Sequence, residues 1–223
     1  MARKLSETAP PVAVYDPATH TTMAAGRPVP HVTAVLAACR MAQDFSELPP
    51  LARQRALWKR GLGTAVHMDC HAYDDGDLDW STVDESVKPY VEAWAQAKES
   101  LGWLRPLDRE RHVFDHVYWY TGILDGVFLR DDGMEVLADI KTGDPSAAAG
   151  DLQTGAYAKA RQRMTGKLVG MRLAIWLRPG KRIPYAVFPY VSDIEMDHRT
   201  FLACLTVYRE QERRGRLKIK EEE

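Results

Sequence analysis

Two periods divide the chain. Up to about residue 101, apolar positions recur every three or four residues, the repeat of a helix with one buried face; between 111 and 142 they crowd and alternate, as in strands. Thr33 has the chemistry of an N-cap for a short apolar helix over 34–41. Pro49-Pro50 opens a second helix at positions where proline is tolerated. That helix carries Arg53, Arg55, Lys59 and Arg60 and continues through 61–71. Val87, Tyr90, Val91, Trp94 and Ala97 place a third helix at about 83–101. Residues 111–120, 122–129 and 135–142 read as strands, and Arg130-Asp131-Asp132-Gly133 is the hairpin turn between the last two. Gly143-Asp144-Pro145-Ser146 breaks the third strand and starts a helix, from Pro145 or Ser146 to about Met164. Two more strands, 168–177 and 183–191, flank Arg178-Pro179-Gly180-Lys181, and a last helix spans about 197–214.

This order predicts an α/β domain with a small mixed central sheet, flanked by helices and preceded by a helical part. Residues 1–30, rich in Pro, Thr and Ala, read as an N-terminal arm or short hairpin. Residues 31–215 form a single domain and 216–223 a charged tail; no internal repeat is present.

Composition narrows the function classes. The 223 residues are 45% hydrophobic and 27% charged, which suits a folded domain and excludes disorder throughout. No apolar run approaches the ~20 residues of a membrane span, and the N-terminus lacks an apolar signal segment, so the expected location is cytoplasmic, with no membrane partner. Lys+Arg at 30 against Asp+Glu at 31 excludes coating of nucleic acid by bulk charge and leaves only a local patch. One such patch is Lys159, Arg161, Arg163, Lys167, Arg172, Arg178, Lys181 and Arg182, with no acid among them; Arg53–Arg60 is another. Two solvated faces are the plain alternative. Trp58, Trp119 and Tyr120 can stack bases or pack the core. Residues 69–85 carry seven acids and no Lys or Arg, as a solvated loop does, and their spacing lacks the glycine and terminal Glu positions of a calcium loop. Cys39, Cys70 and Cys204 have no metal or disulfide spacing and read as small buried hydrophobes.

The hairpin carries the chemistry. Alternation puts Asp139 and Lys141 on one face of their strand, and the paired strand brings Asp125 beside them. Ile123, Leu124, Val127, Val136, Leu137 and Ile140 surround them, so the three polar groups need partners. Mg²⁺ or Mn²⁺ would provide one, held by Asp125, Asp139 and the Ile140 carbonyl. Lys141 would stabilise charge beside it. By itself, Asp-x-Lys fits a surface ion pair on an edge strand equally well.

Four motifs in order go further: Gly63-Thr64-Ala65-Val66-His67, Gly122-Ile123-Leu124-Asp125, Asp139-Ile140-Lys141 and Gln153-Thr154-Gly155-Ala156-Tyr157. Together with Pro30–Leu36, they resemble the PD-(D/E)xK nuclease superfamily, in particular its RecB-like exonuclease branch as found in stand-alone phage and bacterial members, over about residues 28–191. The resemblance implies a restriction-endonuclease-like core and a metal-dependent DNA exonuclease in recombination, repair or phage DNA metabolism. It adds His67 as a metal ligand, and Gln153 and Tyr157 at the rim of the catalytic site. Glu110 can stand behind the metal; Asp115 and His116 have a weaker claim. Lys159, Arg161 and Arg163 are candidates for the DNA backbone. Two departures stand out: Leu124 replaces the signature proline, and Cys70 and His71 occupy the place of a frequent acid. Three scattered cysteines exclude the branch's iron–sulfur cluster. No GxxxxGK[ST] phosphate loop is present, so the domain is expected to stand alone or to join a separate helicase or single-strand annealing protein. The rivals are an endonuclease of the same superfamily (a junction resolvase or restriction-like enzyme), a catalytically retired DNA-binding module, and an unrelated α/β protein with chance motifs.

Overall fold

The computed structural model describes residues 10–19, 21–41, 48–103, 105–147 and 149–217. Residues 1–9 of the arm and 218–223 of the tail lie outside the described residues. The arm folds into a small antiparallel sheet of β1 (Ala13–Asp16), β2 (Thr21–Ala24) and β3 (Arg27–Pro28). Ala24 and Val29 pack on Phe114, which ties this sheet to the rest of the domain.

Next come α1 (Val32–Ala38), α2 (Pro50–Asp75) and α3 (Lys88–Leu101). A meander of β4 (Arg105–Asp115), β5 (Tyr120–Leu129) and β6 (Glu135–Lys141) follows. Helix α4 (Gly150–Thr165) crosses over to β7 (Met171–Leu177), which runs parallel to β6. β8 (Tyr185–Pro189) closes the edge, and α5 (Ile194–Arg213) ends the described fold. The large sheet has the order β4-β5-β6-β7-β8, all antiparallel except for the β6–β7 pair.

Alternation along β6 sorts the two cores. Val136, Ala138 and Ile140 face α2 and α3, with Val66, Cys70, Val91 and Trp94. Leu137 faces α1, α4 and α5, with Leu36, Ala156, Tyr157 and Phe201. Asp139 and Lys141 therefore belong to the α4 side. The three cysteines are free, and Cys70 and Cys204 are buried as small apolar groups.

Several boundaries differ from the sequence reading. His31, not Thr33, caps α1; it is extended, bridges to Thr121 and makes no side-chain cap bond. Residues 69–75 are helix rather than acidic loop, because Cys70 and Tyr73 keep α2 on the core and Asp74 is buried against Trp94 Nε1 (2.8 Å) and Lys98 (2.5 Å). Gly76, at φ +78°, ends that helix. Helix α3 starts at Lys88 instead of about residue 83, since Asp79 and Asp84 close local turns on Ser81 and Ser86. Strand β4 stops at Asp115, although β-forming residues continue to Tyr120. The Asp115 carboxylate accepts the Val117 and Tyr118 amides, both at 2.9 Å, and folds 116–119 into a turn. Pro145–Ala147 is a separate 3-10 turn before α4.

Candidate active site

β5 and β6 are hydrogen-bonded only from Leu129↔Glu135 to Gly126↔Ala138. Beyond that point they part, and a carboxylate fills the gap: Asp125 Oδ2 accepts the Ile140 amide at 2.8 Å. Asp139, one residue earlier on β6, is 3% exposed. The Lys141 ammonium lies 2.6 Å from Asp139 Oδ2, and this buried oxygen has no further hydrogen-bond donor among the described residues. From the opposite side α2 brings His67, with Nδ1 3.3 Å from Asp125 Oδ1. The structure thus brings together four of the predicted residues, His67, Asp125, Asp139 and Lys141.

Their charges are coupled. For Asp139, burial raises the pKa, Lys141 opposes, Asp125 adds to the rise, and the carboxyl settles at about 6. Burial acts on Asp125 in the same sense, but the His67 charge, Lys141 and the Ile140 amide outweigh it and hold the group below the usual carboxylate range. Lys141 is pushed above the ordinary lysine value, because Asp139 and Asp125 outweigh its burial. His67 follows the same logic: burial lowers it, Asp125 and Asp139 raise it, and the result is about 9.

The His67 shift sets a pH dependence. Its folded pKa of about 9 exceeds the ordinary 6.5, so the stabilisation is complete below 6.5 and is lost as pH rises through 9. Asp139 titrates below this window, so the window belongs to His67. In EDTA, wild type should exceed His67→Gln in stability by about 2–3 kcal/mol at pH 6.5 and lose most of that advantage by pH 10. Urea unfolding of both proteins across the range measures it. A pH-independent difference would rule out a charged His67–Asp125 pair.

Helix α4 forms the wall behind the carboxylates. Gln153 Nε2 donates to the Tyr157 hydroxyl at 3.1 Å, as expected of residues four apart on one face. The Tyr157 ring lies on Gly122, where any Cβ would overlap it, so the glycine of the second motif is needed for this close approach. Burial and the nearby Asp139 push Tyr157 well above the ordinary tyrosine range.

Tyr190 is a member that sequence reasoning missed. Its hydroxyl is buried, has no hydrogen-bond partner among the described residues, and lies against the bare Cα of Gly150 at the start of α4. Burial and the Asp139 charge raise its pKa. The only sequence signal was a lone tyrosine near the end of the strand read at 183–191.

Other candidates fall elsewhere. Glu110 has φ +41° and places Oε1 3.7 Å from His71 Nε2, beside the site and half exposed. The basic residues of α4 are corrected: they are structural partners, not a phosphate track. Arg161 is 2% exposed and donates to Asp108 (2.9 Å) and Glu135 (2.6 Å). Arg163 donates to the fully buried Asp115 at 2.7 Å, and Lys159 pairs with Glu195. Arg172 is likewise buried on Asp197. Tyr120 is fully buried, its hydroxyl on the Ala156 carbonyl, so it stacks no base. Trp119 sits in the β4–β5 turn under Arg27, while Trp58 is 61% exposed. Two surface hollows, of about 640 Å³ around Arg27, Trp119 and Arg209 and about 750 Å³ around Tyr73, Trp80 and Lys98, contain none of the site residues.

Among the described residues no three His, Cys, Asp or Glu side chains converge as a ligand set. Each carboxylate pairs with a cation of the chain, Asp125 with His67 and Asp139 with Lys141. No protein-family model and no curated protein matches the chain. No helix among the described residues is long and apolar enough to cross a membrane.

Proposed function

We propose that the chain is a metal-dependent deoxyribonuclease of the PD-(D/E)xK superfamily, on the RecB-like branch, acting as an exonuclease. One observation carries the reading. Asp139 Oδ2, buried and paired only with the Lys141 ammonium among the described residues, lies beside a second buried carboxylate where two strands part. Burying such a set costs stability that apolar residues of similar volume would not. That favours a working site over a retired DNA-binding module. The element order supports a restriction-endonuclease-like core: His67 on α2, Asp125, Asp139 and Lys141 on the meander, Gln153 and Tyr157 on α4, then a parallel return strand.

The donors suit a hard divalent ion. Asp125 and Asp139 would hold Mg²⁺ or Mn²⁺, with the Ile140 carbonyl and, once its proton has left, His67. When bound, the ion supplies Lewis-acid polarisation of the phosphoryl group. Lys141 keeps its proton throughout the neutral range and acts as a fixed cation for the charge that develops at the scissile phosphate. Tyr157, locked between Gln153 and Gly122, keeps the α4 wall in place.

The test offers linear duplex, single-stranded and covalently closed circular DNA with Mg²⁺ or Mn²⁺. Linear DNA should be reduced to short products, the closed circle should survive, and EDTA should stop the reaction. No hydrolysis of any substrate with either ion would remove the nuclease reading. Nicking of the closed circle by wild type but not by Asp139→Ala would replace the exonuclease with an endonuclease.

A further inference from the structure

The first three turns of α2 project from the core. From Leu51 to Gly61 no side chain is buried, while the buried contacts of the helix begin at Val66. Arg53, Arg55, Lys59 and Arg60 are all exposed there and make no ion pair among the described residues. Residues 50–68 contain these four bases and no Asp or Glu. An exposed, unpaired, single-sign stretch of helix is the electrostatic complement of a polyanion.

Helical spacing orders these residues relative to the site. Arg53, Ala56, Arg60, Gly63 and His67 follow one another at intervals of three and four, so they share one face. His67 ends that stripe on Asp125. Gly63 lies next to Thr142, the residue after Lys141: a Cβ on it would sit 3.5 Å from the Thr142 hydroxyl. The stripe therefore leaves the site directly. Its small members, Gly63 and Ala56, leave room between the cationic ones, and Arg60 and Arg53 stand about 10 Å apart along the axis. Arg55 belongs to the far side of the helix, with Leu51, Trp58 and Leu62.

We propose that this stripe is the track for the DNA strand bearing the scissile phosphate, with Arg60 and Arg53 holding successive parts of its backbone as it leaves the carboxylates. This rests on the nuclease reading above and names where its substrate lies. It also moves the phosphate track away from α4, whose bases are consumed in ion pairs.

The test is fluorescence anisotropy of a labelled single-stranded oligonucleotide, with Mg²⁺, on an Asp139→Asn background that prevents cleavage. Adding Arg53→Gln and Arg60→Gln together should weaken binding about tenfold. It should also reduce the slope of log affinity against log salt by about 1.4. Arg55→Gln should leave both unchanged, and the exposed variants should keep the parental Tm. The same oligonucleotide is offered to wild type for cleavage. If wild type cleaves it while the double variant keeps affinity and slope, or Arg55→Gln has the larger effect, the track is overturned and the nuclease reading stands. If the protein neither binds nor cleaves this oligonucleotide, the track is overturned, and the nuclease reading is decided by the linear duplex and circular substrates above. Displacement by poly-glutamate at the same charge concentration would also overturn the track, reducing the stripe to a general anion surface.

Discussion

Asp139→Asn is expected to lower phosphodiester hydrolysis at least about a thousandfold, the scale of losing a preorganised electrostatic group at the reacting centre. The substitution keeps shape and volume, so any loss is chemical. Asp139 holds a buried carboxylate oxygen whose one partner among the described residues is Lys141, and its amide successor offers neither the charge nor the second hard oxygen a divalent ion needs. The variant should remain folded, because burial already works against the ionised form of Asp139, whose carboxyl is raised to about 6. Initial rates on linear DNA at pH 8 with Mg²⁺, alongside unfolding curves, separate the two effects. Cleavage within tenfold of wild type would remove Asp139 from the chemistry.

Arg172→Ala should be the most damaging single change to stability, at about 3–5 kcal/mol. The Arg172 side chain is 1% exposed and donates to the Asp151 carbonyl (2.6 Å), the Ser192 carbonyl (2.9 Å) and Asp197 Oδ2 (2.5 Å). One guanidinium thus joins β7, α4 and the entry to α5. Its removal leaves a buried carboxylate with only the Ser192 hydroxyl (2.6 Å) as side-chain partner and opens a cavity among three elements. Urea unfolding measures the loss; less than 1 kcal/mol would sink the argument. Arg53→Gln, on the exposed stripe of α2, should stay within about 0.5 kcal/mol. The contrast separates two arginines that look alike in the sequence.

Local patterns were enough to show the meander and the site's centre. Strand alternation is a property of adjacent residues, so Asp139 and Lys141 share a face whatever surrounds them, and the Asp-Gly turn returns the chain beside Asp125. Likewise the spacing of Gln153 and Tyr157 put both on one side of α4. The four ordered motifs added His67, which α2 does bring to Asp125.

Tertiary structure decided what depends on partners far along the chain. Arg161, Arg163 and Arg172 read as an open basic patch, yet their acids lie 53, 48 and 25 residues away. Asp69–Asp75 reads as a solvated loop until Trp94 and Lys98 of α3 claim Asp74. Strand β4 ends early because one carboxylate, buried by Arg163, takes two turn amides that no propensity scale counts. Tyr190 reaches the α4 N-terminus only because β8 folds back along β7. Sequence by itself determined which residues are neighbours through the backbone's own periods; which charges are spent inside the fold and which remain for a ligand followed from pairings across the sheet, since a charge's environment is set by whatever packs against it.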